Sequence, residues 1–116
     1  MNIPMSPFYK FNDLVFVSGQ IGMDSQTGTI PADFEQQTRN TLQNVAARLN
    51  EAGLEKENAI KLTVYLTDMS QFAQMNQIYQ EFFGDHKPAR TTIGAAQLLT
   101  YPDAPKLLIE IDAIAG

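Results

Sequence analysis

Apolar residues recur along this chain with two distinct periods, and the switches between them predict its elements. Leu14-Val15-Phe16-Val17-Ser18 is a short run rich in β-branched and aromatic residues, set between Asn12-Asp13 and Gly19. It reads as a strand buried on both faces. Asp24-Ser25-Gln26-Thr27-Gly28-Thr29 is a turn that ends a hairpin or leads into the next helix. From Asp33 to Ala52 the period lengthens: Phe34, Thr38, Leu42, Val45 and Leu49 recur at three- and four-residue spacing. That predicts an amphipathic helix with Asp33 as N-cap, Gln36 as its capping-box partner and Gly53 as its stop. The period then drops to two. Ile60, Leu62, Val64 and Leu66 face one way, and Lys61, Thr63 and Tyr65 the other, so this segment is a strand. Asp68 or Ser70 caps a second helix that runs to Phe83 and stops at Gly84. Its stripe of Phe72, Met75, Ile78, Tyr79 and Phe82 reads as core. Arg90 to Ala95 and Lys106 to Ala115 complete the set as strands.

Strands, helix, strand, helix, strands is an α+β order, one sheet with two helices packed on one face. No linker, repeat or low-complexity segment interrupts it, which predicts a single domain over residues 1–116. The last strand has two unlike sides. Leu107, Ile109, Ile111 and Ala113 form the side that meets the helices. Leu108, Glu110, Asp112 and Ile114 form the other, which mixes aliphatics with carboxylates. The strand at Ile60 to Leu66 has a similar half-polar second side carrying Tyr65. A sheet face that is neither core nor freely solvated implies a subunit interface, hence a homo-oligomer.

Composition narrows the function classes. Eight basic and thirteen acidic residues leave a net charge of −5. Nucleic-acid affinity rests on Lys and Arg neutralising phosphates, so this balance argues against such a partner. With no cysteine, there is neither a disulfide framework, a thiolate metal site nor a cysteine nucleophile. Met1 to Phe11 lacks the cationic start and apolar stretch of a signal peptide, and no apolar run is long enough to span a bilayer. The expectation is a cytoplasmic protein without membrane contact.

Few residues could carry chemistry. Arg90 follows Pro88, which stiffens its approach. Its planar fork of donors fits a carboxylate, although it could equally be a surface residue or pair with Glu110 or Asp112. Glu110, between Ile109 and Ile111, is placed for partial desolvation. It is either a water-orienting, proton-transferring group or an ion-paired residue on a sheet face. Ser18, beside Gly19 at a strand end, offers a hydroxyl and open backbone to a ligand, or makes a local hydrogen bond. No nucleophile elbow is present, and the one histidine, His86, sits in a charged turn without a second ligand, so a catalytic triad and a metal site both lack support. No glycine loop calls for a nucleotide or flavin cofactor.

Six segments in order carry a resemblance. They are Leu14-Val15-Phe16-Val17-Ser18-Gly19-Gln20-Ile21, Gln37 to Val45, Lys61 to Met69, Asn76 to Phe83, Pro88-Ala89-Arg90-Thr91 and Ile109 to Ala115. Through them the chain resembles, over nearly its whole length, the RidA/YjgF family of reactive-intermediate (enamine/imine) deaminases. The resemblance implies a chorismate-mutase-like mixed sheet and a homotrimer with sites between subunits. It implies hydrolysis of 2-imino or 2-enamino acids, such as 2-aminoacrylate, to 2-oxo acids and ammonia without a cofactor. The family's carboxylate-binding arginine falls on Arg90, its glutamate near the reacting carbon on Glu110, its strand-end serine on Ser18 and its helix asparagine on Asn76. Gly19 and Thr92 join them as substrate-binding positions. The chain departs from the family pattern in three places. Met5 follows Pro4 where active members commonly carry tyrosine. Thr92 stands where many carry cysteine. The turn before the last strand is extended through Leu98 to Pro105, where Tyr101 offers another hydroxyl. These departures keep open an alternative, a trimer that holds a small carboxylate without turning it over.

Overall fold

In the computed structural model, which describes residues 3–116, five strands form one mixed sheet. In chain order the elements are β1 (Phe8–Phe11), β2 (Leu14–Ile21), α1 (Phe34–Glu51), β3 (Ala59–Leu66), α2 (Phe72–Phe83), β4 (Ala89–Gly94) and β5 (Ile109–Ala115). Across the sheet the order is β1-β2-β5-β3-β4, with β3 and β4 parallel and the other neighbours antiparallel. Met1 and Asn2, the start of the segment read for a leader, lie outside the described residues. No helix among the described residues is long and apolar enough to cross a membrane.

Both helices cover one face. Leu42, Val45 and Leu49 of α1 and Met75 and Ile78 of α2 share a core with Leu62, Val64, Ile109 and Ile111. Asp33 caps α1 as its sequence implies, accepting from the Gln36 backbone N–H at 2.9 Å. The reciprocal half of the box is missing, because the Gln36 amide donates instead to Asn40 at 2.9 Å. A second, polar row of α1 is buried as well. The Gln37 side chain donates to the carbonyls of Pro31 and Lys106 and accepts from the Leu108 N–H, all within 2.9 Å. Asn44 donates to the carbonyls of Ile21 and Met23 at 2.8 and 2.9 Å. These amides tie the end of β2 and the start of β5 to the helix.

Several expectations need correction. β2 is not buried on both faces: Val15 and Val17 enter the core, while Leu14 and Phe16 are 37% and 41% exposed. β1, missed as a strand, pairs with β2 through a tight turn at Asn12, whose φ is 54°, and leaves Tyr9 and Phe11 exposed. A bulge between Ala59 and Lys61 puts Ala59 in the core and Ile60 in the open. In α2 it is Phe83, not Phe82 or Phe72, that completes the buried stripe. Asp68 caps a 3-10 turn at Met69–Gln71 that precedes α2.

Candidate functional site

Arg90 lies on the edge strand β4, opposite Leu62 in register. Leu62 points into the core, so Arg90 projects from the helix-covered face. There its guanidinium carbon lies 4.8 Å from the Tyr79 ring centroid and 5.6 Å from that of Phe72. Stacking holds a planar cation while leaving its N–H fork free. Among the described residues no carboxylate stands within ion-pair distance of it, so neither Glu110 nor Asp112 neutralises it. A cleft of about 470 Å³ opens beside it, lined also by Asn76, Tyr79, His86 and Lys87. The Asn76 Oδ1 and Tyr79 hydroxyl atoms are buried there without a hydrogen-bond partner. Burial pushes the Tyr79 hydroxyl up to about 12 against the opposing pull of Arg90, so it keeps its proton at neutral pH. The Tyr79 O–H can donate to a small carboxylate held by Arg90, and the Asn76 Oδ1 can accept from an N–H of the same ligand. Thr92, opposite Val64, shares this face of β4.

Glu110 lies on β5 with its side chain on the other face, between its cross-strand neighbours Ile21 and Tyr65. Burial holds its carboxyl above the ordinary glutamate range, and the nearby Asp112 adds to the shift. No side chain among the described residues hydrogen-bonds it. Asp112 instead accepts from the Tyr65 hydroxyl at 3.1 Å. A bulge between Val17 and Gln20 carries Ser18 and Gly19, and the Glu110 carboxylate rests against Gly19. A Cβ at that glycine would come within 2.9 Å of the Glu110 carboxyl carbon. The Ser18 hydroxyl is committed locally, donating to the Ser6 carbonyl at 2.6 Å, while its N–H holds the Pro7 carbonyl at 3.0 Å.

The sequence-derived residues thus fall into two groups. Arg90, Asn76 and Thr92 lie together on the helix side, and Ser18, Gly19 and Glu110 lie together by the bulge. β3 separates β4 from β5, so the groups are roughly 10 Å apart across the sheet and on opposite faces. One small molecule cannot touch both within one chain. Tyr79 was missed as a site residue because its spacing places it in the core stripe; the only signal was a hydroxyl that a core does not satisfy. Tyr101 does not line the Arg90 cleft. Among the described residues no group of three or more His, Cys, Asp or Glu is placed to hold a metal ion.

Comparison with known proteins agrees with this architecture. The family model described as Endoribonuclease L-PSP matches residues 3–116. A RutC family protein of Pyrococcus horikoshii is 45% identical over 114 residues, 97% of this chain and 86% of its own. The 2-iminobutanoate/2-iminopropanoate deaminase of Escherichia coli is 39% identical over 107 residues, 89% of this chain and 79% of its own. The crystal structure of E. coli TdcF with bound serine superposes with a TM-score of 0.88 at 39% identity, covering 99% of this chain and 89% of that one. Sequence and fold agree along the chain's length, and this protein belongs to the RidA/YjgF family.

Proposed function

We propose that this protein hydrolyses small 2-imino and 2-enamino acids to 2-oxo acids and ammonia, in sites completed between copies of the chain in a homotrimer. The observation that carries the reading is Arg90, stacked on Tyr79, unpaired, and beside two buried polar atoms that lack partners. A relative named as such a deaminase and a relative's structure with bound serine support a small carboxylate as its ligand. The separation of Arg90 from Glu110 across the sheet supports sites built from two subunits.

In this mechanism the Arg90 of one subunit grips the substrate carboxylate with charge-assisted bonds worth about 1.5–3 kcal/mol. The Tyr79 hydroxyl donates a further bond to that carboxylate, and the Asn76 Oδ1 accepts from the substrate's N–H. The enamine tautomerises to the imine, whose nitrogen takes a proton. Water adds to C2 and the C=N electron pair moves to nitrogen. The Glu110 of the neighbouring subunit accepts the water's proton and returns it to the leaving nitrogen. Glu110 then takes the remaining hydroxyl proton as the C=O bond forms and ammonia departs, and its release to solvent balances the proton that the imine took up. A carboxyl held above its ordinary range by burial is suited to both transfers.

Ammonia release from 2-iminopropanoate generated in situ tests the reading. Wild type should accelerate it, and Arg90→Ala should lower kcat/KM by roughly 10- to 100-fold. Equal activity in the variant would overturn the assignment of Arg90. The alternative of binding without turnover draws on Met5, which presents no hydroxyl beside Gly19; it predicts 2-oxo acid binding with no ammonia release. The family model's description as an endoribonuclease adds a third outcome, RNA cleavage, which a net charge of −5 opposes.

A further inference from the structure

Eight residues of this chain are lysine or arginine and one is histidine. Two of those cations, Arg90 and Lys87, and the histidine, His86, line the single cleft of about 470 Å³ at the end of α2. No carboxylate among the described residues lines it. Lys87 forms no ion pair among the described residues, so its charge is not neutralised. His86 is anchored at one end. Its Nε2 stands 2.8 Å from the Ala59 carbonyl, and its ring packs against Phe83 with centroids 6.0 Å apart. A carbonyl only accepts, so Nε2 carries a proton and Nδ1 is the nitrogen left for a ligand; it donates once the ring is protonated. The last turn of α2 meets the same cleft, and a helix C-terminus repels anions. Here its carbonyls are taken: the Gly84 and His86 N–H groups donate to Gln80 and Phe83, and the Lys56 ammonium donates to Phe82 at 2.6 Å. A monocarboxylate held by Arg90 leaves Lys87 and His86 unused.

We propose that the Arg90 cleft takes dicarboxylic 2-oxo and 2-imino acids, with Arg90 on the carboxylate beside C2 and Lys87 and His86 on the distal one. The inference rests on the reading of Arg90 as a carboxylate clamp, but not on turnover. Lys87 and Arg90 are three residues apart, so their Cα atoms are separated by at most about 11 Å. Two long side chains at that separation can converge on one five-carbon diacid. A second carboxylate loses hydration on entering the cleft, and the Lys87 ammonium and the protonated His86 ring replace it with charge-assisted bonds. The net charge of −5 acts against a dianion more than against a monoanion. A preference for the diacid therefore has its source in the cleft and not in the molecule as a whole.

Calorimetry at about 0.15 M salt compares 2-oxoglutarate with 2-oxopentanoate, a five-carbon acid that lacks the second carboxylate. Wild type should bind the diacid about tenfold more tightly. Lys87→Gln and His86→Gln should each lower that ratio to about three, and the double variant to about one. Lys87 is exposed, so the fold tolerates its change, and glutamine at position 86 keeps a donor for the Ala59 carbonyl. Arg90→Ala should weaken both acids. The same ratio, read as inhibition constants against 2-iminopropanoate hydrolysis, should place the diacid at the site of turnover. Equal wild-type affinities, or a ratio that the double variant leaves unchanged, overturn the inference, while the clamp stands if Arg90→Ala weakens both acids. Failure of wild type to bind either acid, or binding that Arg90→Ala leaves unchanged, overturns the clamp and the inference together. Failure to accelerate any imine defeats the deaminase reading alone, and the calorimetric ratio then upholds or overturns the diacid site.

Discussion

Glu110 shows how one side chain can work against the fold that positions it. Burial is the main cause of its raised pKa, and Asp112 the second. The folded value exceeds the unfolded one, so the folded state binds this proton more tightly. The associated stability is fully present below the unfolded-chain value and is lost as pH rises through the folded one. At neutral pH the ionised carboxylate is thus a net cost, and Glu110→Gln removes it. The urea midpoint of Glu110→Gln should exceed that of wild type at about pH 7, and the two should converge as pH falls below the unfolded-chain glutamate value of about 4.3. Imine hydrolysis in the same variant should fall. A variant less stable than wild type at neutral pH would mean that the carboxylate holds the structure together. Residue type made Glu110 and Arg90 recognisable in the sequence, since few other groups there could bind an anion or move a proton. Their places on opposite faces were not recognisable, because face depends on the register of β4 and β5 against β3.

At the scale of elements, α1, β3 and β5 were largely legible because each buries one stripe at its own period. β1 was not. Phe8-Tyr9-Lys10-Phe11 is four residues long, and its outer side chains, Tyr9 and Phe11, stay exposed in the single chain. Leu14 and Phe16 disguised β2 as a fully buried strand for the same reason: the outer face of the sheet is itself apolar at that end. The buried amides of α1 were also invisible, since glutamine and asparagine on a helix usually face water. Gln37 is fully buried and serves three backbone groups 6 to 71 residues away in sequence. Gln37→Ala strands all three and leaves a void. At about 1 ± 0.5 kcal/mol per bond, the expected loss is roughly 2–4 kcal/mol, read as a lower urea midpoint with an unchanged m value. A loss under about 0.5 kcal/mol would show that water replaces the amide without penalty.

At the scale of the whole molecule, the proposed function requires two groups that one chain holds apart. Arg90, with Asn76 and Tyr79, lies at one edge of the sheet on the helix side. Glu110, with Gly19 and Ile21, lies on the bare face near β2's open edge. That bare face carries exposed Tyr9, Phe11, Leu14 and Phe16 beside the polar group of Glu110, Asp112 and Tyr65. Such a face calls for cover, and cover by a second copy would also bring its Arg90 towards Glu110. A head-to-tail ring is the arrangement in which every copy gives one half-site and receives the other. This arrangement can be tested without knowing the geometry of the ring. Arg90→Ala should retain at most about a tenth of wild-type activity, and Glu110→Gln a comparably small fraction. When the two variants are unfolded together and refolded as mixed assemblies, an intact site forms wherever the Arg90 of one variant meets the Glu110 of the other. Random mixing places both native residues at about a quarter of the sites, so roughly that fraction of wild-type hydrolysis should return. Sites contained within one chain would give no recovery, since neither variant carries both groups. Mixing without refolding should restore activity only as fast as subunits exchange, which separates assembly from any contamination by active protein.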